Sequence, residues 1–220
     1  ETHAGRGLYD LTAPEAVKTG EAAKGIAIAG GWFPEAHPYS RALAATRDQR
    51  GASFYPGSPL IAGHLLRETD SIHLCELHPQ EHAALEYASA PFGAKVYHED
   101  GLAKALSICP PTPRRGMVLI DPSYEVKTDY ETIPRVIGQL HRKWNVGIVY
   151  LWYPILREGY HKPMLAELRA IAPEALVHEV RFPPVRDGHR MEGSGMVMIN
   201  PPYGIETETK RLTGLFRKLG

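Results

Sequence analysis

Two runs of consecutive apolar residues, Met117-Val118-Leu119-Ile120 and Ile148-Val149-Tyr150-Leu151, constrain this chain more than any other feature. A run with no polar alternation reads as a strand covered on both faces, and such strands belong to parallel sheets flanked by helices. Between them Ile133, Val136, Ile137, Leu140 and Trp144 recur at helical spacing. Thr128 with Glu131 predicts a capping box for that helix, and Pro134 predicts a delayed start or a kink. The unit is a strand–helix–strand crossover. Further strands are predicted at Ser71–Glu76, Ala94–Glu99, Ala175–Phe182 and Gly195–Asn200, with the two apolar runs at Met117–Asp121 and Val146–Tyr153. Strands alternating with helices predict an α/β doubly wound sheet, in which ligands sit beyond the carboxyl ends of the strands.

Ahead of Ser71 the chain reads as helical, over Gly20–Gly30, Tyr39–Gln49 and Ser58–Arg67. Ser58 followed by Pro59 predicts an N-cap with proline at the first helical position. The stretch 8–67 is therefore expected to be a helical insertion within a single domain spanning 1–220.

Composition narrows the class of function. At 220 residues the chain can bury a full core without staples. Its 25 basic and 25 acidic side chains cancel, which argues against histone-like binding driven by bulk charge. The longest apolar stretch, Val146 to Leu156, is too short for the ~18 residues of a membrane span and contains Pro154. Two cysteines, Cys75 and Cys109, make no disulfide framework and suit a reducing, cytoplasmic setting. Cys75 and His78 have a C-x₂-H spacing, but no second ligand pair follows, so no metal is expected. There is no G-x-S-x-G and no Walker loop, which leaves hydrolase and NTPase readings without an anchor.

Chemistry gathers at the predicted strand ends. Glu1-Thr2-His3-Ala4-Gly5-Arg6-Gly7 sets an acid before two alternate glycines, which suits close backbone approach to a nucleotide-like ligand and equally suits a plain turn. Glu76 ends a strand where a ribose hydroxyl could be bound, or stands there as a solvated carboxylate. Glu99-Asp100-Gly101 suits an adenine edge, or an ordinary turn. Asp121-Pro122-Ser123-Tyr124 ends the central strand with a carboxylate, a stiffened turn and an aromatic ring. Those are the parts needed to accept an amine N–H and to stack a flipped base. Asn200-Pro201-Pro202-Tyr203 has a similar pattern. However, only about a dozen residues of polar, Pro- and Gly-rich chain separate its strand from the preceding one, which predicts a hairpin. Asn200 would then lie at the opposite edge of the sheet from Asp121.

Thr2-His3-Ala4-Gly5-Arg6-Gly7-Leu8-Tyr9, Tyr55-Pro56-Gly57-Ser58-Pro59-Leu60-Ile61, Glu76-Leu77-His78-Pro79, Asp100-Gly101, Asp121–Glu125, Leu151-Trp152-Tyr153-Pro154 and Asn200–Tyr203 are together similar to the bacterial ribosomal RNA large subunit methyltransferase J family. The resemblance implies a Rossmann-like class I fold, a mostly parallel sheet with the last strand antiparallel. It implies S-adenosyl-L-methionine as cofactor, held by His3, Ser58, Glu76, Asp100, Gly101 and Asp121, with Asp121 also catalytic. Pro122 and Tyr124 would bind the substrate adenine of 23S ribosomal RNA, met free of protein or as an early precursor, for methylation at N6. Arg181, Arg186, His189 and Arg190 are candidate RNA contacts, or a solvated loop. The family also implies an N-terminal segment with the sheet's first strand ahead of Glu1, and a second proline where this chain has Ser123. An amino-methyltransferase acting on DNA or on a protein glutamine, or an inactive RNA-binding relative, are the alternatives.

Overall fold

A computed structural model describes residues 1–14, 16, 21–183 and 190–219. These divide into two compact units, Glu1 with His3–Gly101 and Thr2 with Leu102–Gly220, where the sequence predicts one domain. Thr2 counts with the second unit, its backbone N–H donating to the Leu119 carbonyl at 3.0 Å.

In the first unit β1 (Leu8–Asp10) pairs antiparallel with β2 (Phe54–Pro56). Tyr9 lies opposite Tyr55, and their rings stack at 5.1 Å. The 8–67 stretch is thus not wholly helical. A three-residue strand is too short to show a period, and the cross-strand aromatic pair does the work of holding it. Between these strands lie α1 (Glu21–Ala29) and α2 (Pro38–Arg50). The His37 ring caps α2 by accepting from the Tyr39 N–H at 3.2 Å. Helix α3 (Ser58–Leu65) follows, with Gly57 and not Ser58 in the N-cap position. β3 (His73–Cys75) pairs parallel with β4 (Lys95–Tyr97) through α4 (Pro79–Ser89), and Ala4, Leu74 and Leu85 form the buried centre.

The second unit is built on a four-stranded sheet in the order β5 (Met117–Ile120), β6 (Ile148–Leu156), β8 (Met191–Ile199), β7 (Leu176–Arg181). β5 and β6 are parallel, while β8 runs antiparallel to both its neighbours. Helix α5 (Gly101–Ile108) leads into this unit, and α6 (Asp129–Lys143), α7 (His161–Ile171) and α8 (Ile205–Phe216) complete it. Ile133, Val136, Ile137, Leu140 and Trp144 are all buried against Val118, Ile120, Val149 and Leu151. The expected capping box is not formed. Thr128 is already helical in φ and ψ, and its side chain makes no cap bond. Nor does Pro134 delay the helix, which runs through it with the ring buried. At an early helical position only the Tyr130 carbonyl forfeits a partner. Pro154 is tolerated inside β6 because β5 pairs with β6 only as far as Leu151, so no neighbour there needs its missing N–H.

The described strands fall into three separate hydrogen-bonded sheets, where one doubly wound sheet is predicted. Among the described residues no helix is long and apolar enough to cross a membrane.

One glycine position generates a test. Gly7 has φ +72°, and a Cβ there would stand 2.8 Å from Leu60 Cδ1 and 3.1 Å from Leu85 Cδ1, both in buried side chains. Gly7→Ala therefore combines a left-handed backbone with an overlap and should cost roughly 1–3 kcal/mol. Urea denaturation checks it, and an unchanged midpoint contradicts the packing described.

Candidate active site

In the first unit the glycine-rich turn is locked from three directions. Gly5, at φ +59°, donates its N–H to Glu76 Oε2 at 2.8 Å. The Gly7 carbonyl accepts from the Gly57 N–H at 2.7 Å. Arg6 makes a two-pronged bond to Glu81, Nε to Oε2 at 2.8 Å and Nη2 to Oε1 at 2.7 Å, and this pairing holds the Glu81 carboxyl below its ordinary pKa. Glu76 Oε1 accepts a second backbone N–H, from His78 at 2.8 Å. Each Glu76 oxygen so holds one donor and keeps acceptor capacity, which is what binding a diol requires.

Ser58 behaves differently from the sequence expectation. It is the first helical residue of α3, and its hydroxyl donates to Glu1 Oε1 at 2.6 Å. The acid brought to this helix start is Glu1, absent from the predicted site residues. Its signal was present in the sequence as the acid preceding the two alternate glycines. Glu1 is aligned by strand-like bonds, the Cys75 N–H donating to the Glu1 carbonyl at 3.0 Å and the Ala4 N–H to the Cys75 carbonyl at 2.9 Å. His3 is half-buried within that segment. Asp100 is exposed and Gly101 opens α5. Glu1, Gly5, Ser58 and Glu76 are linked by the bonds above.

In the second unit the chain leaves β5 at Asp121 while β6 continues for five more residues. Asp121 is exposed, yet protein surrounds it closely enough that desolvation raises its carboxyl to about 6. Pro122 is buried and Ser123 exposed, and Ser123 Oγ accepts a long 3.5 Å bond from the Glu125 N–H. Tyr124 has φ +56°, an outlier for a bulky residue. Its hydroxyl donates to the Trp152 carbonyl at 3.0 Å, and its ring lies 4.5 Å from that of Tyr130. Only 7% of Tyr124 is exposed. The ring expected to be an open stacking platform is part of the core, because α6 supplies Tyr130 to cover it. Of the two residues that pin this turn, Trp152 stood in the Leu151–Pro154 stretch of the resemblance with no role attached to it, and Tyr130 carried no sequence signal beyond being aromatic.

The other candidates separate from this site. Register sets Ile199 beside Val149, so Asn200 comes level with Ile148 and Met117, at the opposite end of β5 from Asp121. The Asn200 amide is spent on structure, Nδ2 donating to the carbonyls of Asn145 at 2.8 Å and Gly147 at 2.9 Å. Arg181 pairs at 3.3 Å with Glu192, which it shares with Arg157 at 3.0 Å, and Arg190 pairs with Glu158 at 3.1 Å, so both are held by carboxylates. Arg186 and His189 lie outside the described residues. Among the described residues no group of three or more His, Cys, Asp or Glu could hold a metal ion.

An α/β chain with a glycine turn anchored on a strand-end carboxylate, and an Asp-Pro-x-Tyr turn at the end of a buried strand, has the features of a methyltransferase. The comparisons agree. The chain belongs to the RsmJ family, described as "Ribosomal RNA large subunit methyltransferase D, RlmJ", whose model matches residues 1–219. It is 37% identical over 215 residues to ribosomal RNA large subunit methyltransferase J of Escherichia coli, covering 94% of this chain and 76% of that protein. It is 33% identical over 218 residues to the protein of the same name from Haemophilus influenzae, covering 96% and 78%. Among solved structures it is similar to protein LPL1258 of Legionella pneumophila, with a TM-score of 0.83 at 31% identity, covering 99% of this chain and 82% of that one.

The assignment of Asn200 to structure is testable. Asn200→Ala removes two hydrogen bonds at ~1 kcal/mol each and puts alanine at φ +52°. Stability should fall by roughly 2–3 kcal/mol in denaturant titration, while kcat per folded molecule stays within a few-fold of the parent. A stable but inactive variant would reverse the roles assigned to the two tetrapeptides.

Proposed function

We propose that this chain transfers a methyl group from S-adenosyl-L-methionine to N6 of an adenine in 23S ribosomal RNA, in the cytoplasm, on a Rossmann-like class I framework. The carrying observation is Asp121, an accessible yet desolvated carboxyl at the end of a buried strand, followed by a turn pinned in a left-handed conformation.

The residues of the first unit fit the cofactor's polar groups. Glu76 retains acceptor sites for the two ribose hydroxyls. Glu1, oriented by Ser58, offers a carboxylate to an ammonium group. Asp100 suits an exocyclic amine, and Gly101 at the start of α5 has a free backbone donor for a ring nitrogen. His3 completes the set. When bound, the cofactor supplies an electrophilic methyl on a sulfonium.

Asp121 accepts one N–H of the adenine amine and the Pro122 carbonyl accepts the other. Both draw electron density onto a nitrogen whose lone pair is otherwise delocalised into the ring, and both stabilise the positive charge that develops there. With its pKa raised toward 6, Asp121 is also a better proton acceptor than an ordinary carboxylate. Tyr124 holds the turn from within the core, and so positions Asp121 and the Pro122 carbonyl toward the base. The relatives' names support the ribosomal RNA substrate, and the amine-suited turn supports N6 over a ring carbon.

Asp121→Asn should lower kcat by on the order of 10²-fold or more while leaving cofactor affinity close to wild type, measured by labelled methyl transfer to 23S rRNA and by calorimetry. Because the folded pKa is raised above 3.8, the reactive carboxylate is lost as pH falls through about 6. The kcat/KM profile should rise with an inflection near there. By linkage, folding stability should decline as pH rises from about 4 to 6, and this slope should vanish in the variant. Methyl transfer to DNA or a glutamine peptide, with none to rRNA, would replace the substrate assigned here.

A further inference from the structure

The end of the second unit opposite Asp121 is more than a structural base. In a chain of zero net charge, neither 101–120 nor 132–157 contains an Asp or Glu. These segments bring Arg114, Arg115, Arg142 and Lys143 to one end of the β5–β6 pair. Trp144 Nε1 donates to the Arg114 carbonyl at 3.1 Å, and Arg114 Nη2 to the Lys143 carbonyl at 3.2 Å. Lys143 Nζ donates to the Leu106 carbonyl at 2.6 Å. Carbonyl partners orient Arg114 and Lys143 without neutralising them, and none of the four cations makes an ion pair among the described residues. The contrast with Arg181 and Arg190, each paired to a glutamate, is direct.

Tyr203 is fully exposed at the same end. Asn200 fixes its position, since the two bonds to the Asn145 and Gly147 carbonyls tie the Asn200–Tyr203 turn to the loop that follows Lys143. Met117, the first residue of β5, and Val146, just ahead of β6, are exposed at that end as well. Glu206 and Glu208 follow Tyr203 in the first turn of α8, Glu208 being paired with Arg211. An exposed ring on the rim that also carries unpaired guanidinium groups matches a nucleic acid strand, bases stacking on the ring and phosphates meeting the cations.

We propose that Arg114, Arg115, Lys143 and Tyr203 form a second RNA-docking surface, which grips substrate RNA flanking the target adenine. This rests on the ribosomal RNA substrate argued above. β5 spans four residues, so this surface lies about 13 Å or more from Asp121 along the strand. A trinucleotide placed at Asp121 does not reach it, whereas a long rRNA fragment does.

The test uses the full-length protein with an adenine-containing trinucleotide and a 23S rRNA fragment of some tens of nucleotides. Arg114→Ala with Arg115→Ala should raise Kd and KM for the fragment about 10-fold and reduce the salt slope of binding by ~1–2, with the trinucleotide unaffected. Tyr203→Ala should weaken fragment binding roughly 10-fold, and Tyr203→Phe should restore it. Arg→Lys at both positions should keep most of the salt slope. Wild-type fragment affinity and slope in the folded alanine variants would overturn the surface alone. A wild-type enzyme that neither binds nor methylates the fragment would overturn the substrate reading as well. Sedimentation showing that Tyr203→Ala dissociates a dimer, with RNA affinity intact, would assign the face to a second copy and end the proposal.

Discussion

A strand that packs into a core has no room for a charge except at its ends. β5 and the paired half of β6 bury one face completely, through Val118, Ile120, Val149 and Leu151, while Leu119, Ile148 and Tyr150 on the other face are half-buried and Met117 is exposed, so the covering of both faces expected from the apolar runs is only partial. Burying an unpaired ion there would cost several kcal/mol, so the polar chemistry of the second unit is pushed to the two rims of the sheet. Asp121 takes one rim, and Arg114, Arg115 and Asn200 take the other. The first unit obeys the same rule on a smaller scale, with Glu76 one residue beyond β3 and Asp100 three beyond β4. What stands at each strand end decides the function, and the core decides only where those ends are.

That division explains how much could be read from sequence. The β5–α6–β6 crossover was legible because every helix-facing residue from Ile133 to Trp144 and both apolar runs are paid in the same currency of burial, which leaves a period in the sequence. The reversal of β8 was legible because the linking segment is too short and too rich in Pro and Gly for a crossover helix. β1 and β2 were not legible, since three residues carry no period and their pairing depends on Tyr9 meeting Tyr55 across 45 residues of chain. The capping errors are of another kind. Thr128 and Ser58 are good capping residues by type, but Ser58 found the Glu1 carboxylate, a charged acceptor from far away in sequence, and local propensity loses to a charge-assisted bond.

Tyr124 shows the same competition at the site itself. Its left-handed backbone costs of order 1–3 kcal/mol, and the return is a buried ring and a hydroxyl bonded to Trp152. A turn stiffened only by proline would not need such an anchor. Here Pro122 is followed by Ser123, and the long Ser123–Glu125 contact at 3.5 Å restrains little. Rigidity of the Asp121 turn therefore comes from tertiary packing of the fourth residue, and it depends on α6 and β6 being in place. Sequence pattern located the tetrapeptide but could not tell that its aromatic residue faces inward, because exposure is set by Tyr130 and Trp152, which lie outside the motif.

The two tetrapeptides make the point most sharply. Asp121–Tyr124 and Asn200–Tyr203 share a pattern and both follow a strand of the same sheet, yet their backbones are inverted in meaning. In the first the left-handed residue is the last, Tyr124, whose ring is buried while the leading carboxylate is free to act. In the second it is the first, Asn200, whose amide is consumed by two carbonyls while the closing ring of Tyr203 stands in solvent. One arrangement presents a strand-end acid on a rigid turn, as amine chemistry requires. The other presents an aromatic face on a rigid turn, as base stacking requires. Strand direction selects between them: reversing β8 carries the second motif away from Asp121 and onto the rim where Arg114 and Arg115 stand, so that, on the two proposals above, one short pattern serves two separate contacts with the same kind of molecule.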